Sequence, residues 1–187
     1  MGLMQTQALL ARLFTDAKLR RAFFGEPVAT GMRFGLDSAE AERFAELNER
    51  EVENFARSLL GKRALDARKA LPLTAQALGP AFDSLLFEAI EGAPTRERHR
   101  ADAAALSLLL ASRRMEPLWI GDLARYEMAF VAAARPGAFF ALRRFDWPVE
   151  DIARQLMSGE APVVAAPGRR VGLWWRAPGG RLFWQVF

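Results

Sequence analysis

Val171-Gly172-Leu173-Trp174-Trp175-Arg176-Ala177-Pro178-Gly179-Gly180-Arg181-Leu182-Phe183-Trp184-Gln185-Val186-Phe187 is the stretch that decides the fold. Two runs rich in β-branched and aromatic residues flank Ala177-Pro178-Gly179-Gly180, a pattern that predicts a β-hairpin with arms Val171 to Arg176 and Arg181 to Phe187. Strand alternation puts Val171, Leu173 and Trp175 on one face of the first arm, with Trp174 and Arg176 on the other. The second arm divides into Leu182, Trp184 and Val186 against Phe183, Gln185 and Phe187. Large apolar groups therefore occur on both faces. Such a hairpin is either covered twice, by the helical lobe on one face and a nearby short helix on the other, or it keeps one side as a binding surface. Its edge is also a candidate acceptor for a strand from a peptide.

Working back from the hairpin, Pro162 to Ala165 reads as a weak strand and Val149 to about Ser158 as a short helix. Asp146-Trp147-Pro148 is a turn, and Ala138 to Phe145 is a strand. Upstream of Pro136 the period is helical. Trp119, Leu123, Tyr126 and Phe130 form one continuous stripe, with Asp122 at its edge, and an Ala/Leu-rich helix spans about Thr95 to Arg113. The first 90 residues are helices throughout. Asp16 and then Asp37 or Ser38 serve as caps, Pro27 opens a turn that Gly35 ends, and a long amphipathic helix stops at Pro72. The next helix runs from about Pro80 to Ile90. The expected fold is α+β: a helical N-terminal lobe, then a small C-terminal sheet made of the hairpin plus one or two strands, with a short helix. The expected divisions are a helical lobe over 1–92, a helical connector packed on it over 93–135, and a β-rich peptide-docking unit over 136–187. Gly92-Ala93-Pro94 marks the first boundary.

Composition narrows the chemistry. There is no cysteine and a single histidine, His99, in a charged stretch, so thiolate nucleophiles and Cys-based metal sites are excluded. A zinc or iron site would have to be nearly all carboxylate, which suits neither metal. No cofactor, metal ligand or catalytic residue is assigned. The pI near 10.3 comes from a chain-wide use of Arg rather than from a basic stripe, since only Lys18, Lys62 and Lys69 are lysines. Residues 136–187 carry 7 basic and 4 acidic side chains, a small excess that does not suit the neutralisation of many phosphates. Nucleic acid is not an expected partner. Apolar runs fall short of the roughly 20 residues that span a bilayer, and the N-terminus lacks a signal-peptide pattern, so a cytoplasmic protein without membrane association is expected.

Trp119-Ile120-Gly121-Asp122-Leu123-Ala124-Arg125-Tyr126-Glu127 resembles the W-x-x-D-L-A-x-x-E signature of a bacterial family labelled as DNA-binding, whose members commonly neighbour multinuclear non-haem iron enzymes. Phe140-Ala141-Leu142-Arg143-Arg144-Phe145-Asp146-Trp147-Pro148-Val149 is similar to the family's next landmark, and Val171 to Phe187 to its closing hairpin. The N-terminal segments Leu13 to Arg20 and Phe55 to Arg63 look closer to the variant found in partner proteins of peptide-modifying iron oxidases, a group that includes the C subunit of methanobactin biosynthesis. The resemblance implies a non-catalytic subunit that binds the oxidase as a heterodimer. It would present the leader of a ribosomally made precursor peptide while the oxidase modifies cysteines.

On this reading the peptide contacts are Arg170, Val171, Leu173, Trp175, Arg176, Leu182 and Trp184, the arginines serving acidic leader residues. Trp119, Asp122 and Tyr126 either support the core or form part of the partner interface. Two other classes compete: a DNA-binding transcriptional regulator, which would lose affinity steeply with salt, and an enzyme that uses only carboxylates and Arg.

Overall fold

The computed structural model describes residues 3–91, 99–163 and 166–187. Among them the chain is mostly helical, with one small three-stranded antiparallel sheet near the C-terminus, an α+β fold. Two compact units are present.

The first unit runs to Ala64 and takes in Ile90 and Glu91. It contains α1 (Leu3–Thr15), α2 (Ala17–Gly25), α3 (Pro27–Arg33), α4 (Ser38–Ala45) and the first part of α5 (Glu49–Ala70). The caps fall where their side chains can take orphan amides. Asp16 accepts from the N–H groups of Lys18 and Leu19, and Asp37 forms a reciprocal capping box with Glu40. Pro27 opens α3, and Gly35 (φ 84°) takes the left-handed conformation beyond its end. Leu9, Leu13, Phe23, Leu36, Ala41 and Val52 form the core.

The second unit runs from Leu65 to Ala89 and resumes at His99. It comprises the end of α5, α6 (Pro72–Leu78), α7 (Ala81–Ala89), α8 (His99–Ser112), α9 (Ile120–Ala133), β1 (Phe139–Phe145), α10 (Val149–Met157), β2 (Arg170–Arg176) and β3 (Phe183–Val186). The two units divide elsewhere than at the expected boundary of residue 92. The break falls inside α5, because α6 packs on α9 and α10, and α7 packs on α8. Gly92-Ala93-Pro94 itself lies outside the described residues. Pro72 both ends α5 and opens α6 at its first position, so a residue read only as a terminator also starts a helix. Pro162 and Val163 are irregular rather than strand, and the other two residues of that expected strand lie outside the described residues.

The sheet order is β1-β2-β3. Register pairs Ala141 and Trp184 with Trp174, and Leu142 and Gln185 with Leu173, so Ala141, Phe145, Gly172, Trp174 and Trp184 share the inner face. α9 covers that face. Trp174 is fully buried, with its ring centroid 5.9 Å from Tyr126 and 5.7 Å from Phe130. The indole lies over Gly172, where a Cβ would come within 2.5 Å of it. The outer face carries Phe140, Leu142, Val171, Leu173, Trp175 and Phe183, and is not covered. Phe140 is 73% exposed and Phe183 55%, while Trp175 and Phe183 stack at 5.5 Å. Of the two outcomes open for the hairpin, this is the one with a bare side. No described helix is long and apolar enough to cross a membrane.

Candidate peptide-docking site

α9 is the element around which the site is built. Its first turn carries Gly121, where a Cβ would stand 2.9 Å from the carbonyl oxygen of Leu110, so only glycine lets α8 and α9 approach so closely. The two acids of the helix each hold a different neighbour. Asp122 accepts through Oδ2 from the backbone N–H groups of Asp146 (2.6 Å) and Trp147 (3.1 Å), while Oδ1 takes the Arg125 guanidinium. Arg125 donates onward to the carbonyl of Arg144 at 2.9 Å. The Asp-Trp-Pro turn between β1 and α10 is thus pinned to α9.

Glu127 accepts from Leu73 N (2.7 Å), Thr74 N (2.9 Å) and Thr74 Oγ1 (2.6 Å), satisfying the N-terminal amides of α6. Burial raises its pKa above the usual glutamate value, against the opposing pull of those three donors. Burial, reinforced by Glu150 and Glu127, pushes the Tyr126 phenol up to about 12, so it stays protonated.

Trp119, Asp122 and Tyr126, expected either as core support or as partner interface, are buried to 9, 8 and 6% exposure. That favours the supporting role, although Tyr126 keeps an edge on the hollow beside β3.

Beside the free side of β3 lies a largely apolar hollow of about 670 Å³. Pro72, Leu73, Tyr126, Phe130, Ala153, Met157 and Trp184 line it, and Lys69, Glu150 and Arg154 add charge. The Trp184 ring stands edge-on to Tyr126 (6.0 Å) and Phe130 (5.4 Å), and the residue is 40% exposed. β3 has one strand neighbour. Val171 and Phe187 exchange N–H···O bonds at 3.1 and 2.9 Å, so the alternation of an antiparallel ladder turns the N–H and C=O groups of Trp184 and Val186 outward. Among the described residues no backbone hydrogen bond meets that edge.

The seven expected peptide contacts do not form one surface. Val171, Leu173 and Trp175 lie on the outer face, while Trp184 sits on the inner face opposite Trp174, and Leu182 precedes β3. Arg176 spends part of its guanidinium on the backbone. Its Nε donates to the carbonyl of Gly137 at 2.9 Å and its Nη2 to that of Arg135, tying β2 to the approach of β1. Arg170 is half-buried and donates to the carbonyl of its neighbour Arg169 at 3.1 Å. Residues missed from sequence are those of α6 and α10 that complete the hollow, Pro72, Leu73, Ala153 and Met157. The signal for α10 was present, since Val149, Ile152, Ala153 and Leu156 form its buried stripe and Met157 stands beside it at 70% exposure.

Among the described residues no cluster of three or more His, Asp or Glu side chains could hold a metal ion. The chain matches no protein-family profile, no curated protein and no solved structure.

Proposed function

We propose that this chain is a non-catalytic accessory subunit that takes an extended peptide, the leader of a ribosomally made precursor, by strand addition at the edge of β3. The chain presents that peptide to an iron-dependent oxidase bound as a separate chain. One observation carries the reading: the unpaired edge of β3 opens beside an apolar hollow whose wall includes Trp184 of the same strand. Main-chain hydrogen bonds to Trp184 and Val186 would supply affinity, and alternate side chains of the added strand would enter the hollow and set register. The uncovered outer face, with Phe140, Leu142, Trp175 and Phe183, offers a second surface of the kind that partner proteins bury, rich in aromatics and without Lys, Asp or Glu on its strand positions. The resemblance of the segments Leu13 to Arg20 and Phe55 to Arg63 to partner proteins of peptide-modifying oxidases points the same way.

The test is a titration of the full chain with a synthetic leader encoded next to an oxidase of that kind, followed by amide hydrogen exchange. Binding should slow exchange at Trp184 and Val186, and Trp184→Ala should weaken it. Trp175→Ser with Phe183→Ser should release the oxidase while leaving peptide affinity in place. Failure of the chain to associate with either the peptide or the oxidase would overturn the proposal.

A further inference from the structure

Strand register fixes which residue of an added strand meets the hollow. Ala141, Trp174 and Trp184 form one row across the inner face, so a strand added beyond β3 continues that row with an inward residue of its own. Leu182 and Val186 lie two positions to either side of Trp184, and neither lines the hollow. Of the inward side chains of an added strand, the one in the Trp184 row therefore takes the body of the hollow. Its volume of about 670 Å³ is far more than a small side chain fills, and an unfilled apolar space forfeits contacts along its walls. Ala134 and Ala153 add little bulk to the lining and keep the space open. Tyr126, Phe130 and Trp184 stand mutually edge-on, with centroids 5.2, 6.0 and 5.4 Å apart, an arrangement that a further ring extends.

The hollow also holds one polar group without a partner. Tyr126 is 6% exposed, and among the described residues its hydroxyl makes no hydrogen bond, yet that oxygen is not sealed in the core. The charges it feels, Glu150, Glu127 and Arg154, all line the hollow, so the hydroxyl points there. The two carboxylates outweigh Arg154, which is itself held by Asp151 at 2.8 Å and Glu150 at 3.6 Å. Glu127 is occupied, since its oxygens take Leu73 and Thr74. The surroundings of the hydroxyl are thus on the negative side. They suit an incoming N–H or O–H donor and repel a carboxylate.

Resting on the docking site proposed above, we infer that the hollow receives a single aromatic residue of the added strand whose ring carries a hydrogen-bond donor, tryptophan or tyrosine. The Tyr126 hydroxyl accepts from that donor. Burial of the ring supplies affinity, and the hydrogen bond separates these residues from phenylalanine.

The experiment uses the full chain and fluorescein-labelled strand peptides of Thr and Ser that differ at one central position, read by anisotropy. That position is Ala, Leu, Phe, Tyr or Trp. The aromatic forms should bind at least about tenfold more tightly than the Ala form. Tyr and Trp should bind about fivefold more tightly than Phe, the ratio given by one hydrogen bond of ordinary strength. Tyr126→Phe should erase that advantage of Tyr and Trp over Phe, with a melting curve to check that the variant is folded. Leu bound as tightly as Trp, or a Tyr-to-Phe ratio that Tyr126→Phe does not change, would overturn this inference while the docking site stands. A chain that sediments alone as a dimer, with the Trp184 and Val186 amides already protected, would put a second copy at the edge and overturn both. If no peptide binds, the docking site falls and this inference with it.

Discussion

Replacing Asp122 by alanine separates the two roles that this residue could have. In the structure its Oδ2 accepts two backbone N–H groups, from Asp146 and Trp147, and its Oδ1 pairs with Arg125. A hydrogen bond to a charged acceptor contributes about 1.5–3 kcal/mol. Asp146 is exposed and its freed N–H can turn to water, whereas Trp147 is half-buried and recovers less. Asp122→Ala should therefore destabilise the second unit by about 2–4 kcal/mol. The ion pair itself contributes less, because the Arg125 side chain is 39% exposed. Arg125→Ala should cost about 1 kcal/mol. Urea denaturation gives the totals, and amide hydrogen exchange gives the location. Protection should fall at Asp146 and Trp147, while the amides of Leu73 and Thr74, which Glu127 holds, stay protected. If Asp122→Ala unfolds within 0.5 kcal/mol of the parent chain and those two amides exchange unchanged, the pinning of the turn is wrong, and a role for Asp122 at a partner surface returns.

Two further predictions follow from the same unit. The raised pKa of Glu127 means that the folded state disfavours its ionised form. Its contribution to stability is full below the ordinary glutamate value of about 4.3 and is lost as pH rises through the raised folded value. Melting curves between acid and neutral pH should therefore show the parent chain losing stability relative to Glu127→Gln as pH increases, and parallel curves would refute this. Gly172→Ala places a methyl group 2.5 Å from the Trp174 ring and 3.1 Å from Phe145 Cε2, both fully buried. It should cost about 1–3 kcal/mol by overpacking and change the near-ultraviolet circular dichroism of the indole.

The hairpin, the β1 strand and the short helix after Trp147 were legible because each carries a signal local to its own residues: alternation, a Pro/Gly loop, a helical stripe. Where the units divide was not legible, because it depends on which helices meet. Nothing in Pro72-Leu73-Thr74 announces that its amides are captured by Glu127, more than fifty residues later. The relative register of the hairpin arms was also hidden. Two alternating arms fix two pairs of faces, but only the pairing of Trp175 with Phe183 decides that Trp184 joins Trp174 instead of Trp175. The backbone contacts of Arg176 were hidden for a similar reason, since a strand arginine reads as a solvent-facing cation until the carbonyls of Arg135 and Gly137 are seen around it.

The bare outer face follows from the geometry of the unit rather than from an accident of composition. Three short strands do not make a stable sheet alone and need a helix on one side. α9 supplies it, but a single helix covers only about 10 Å of width, and its remaining sides are occupied by α6, α8 and α10. Among the described residues no element is left within the unit to cover the other side. A face meant only for water could meet the same strand geometry with Thr and charged residues, as antiparallel sheets commonly do. This one places Phe140, Leu142, Trp175 and Phe183 there, with two of the rings stacked at an interplanar angle of 19°. Those side chains add nothing to the core beneath the sheet and leave apolar area in water, which is unfavourable for the isolated chain. Their presence is most simply accounted for by an assembled state in which that area is buried, and it is this cost, set against an inner face already filled by Trp174, that makes the outer face the place where the proposed subunit would meet its partner and leaves the edge for the proposed peptide.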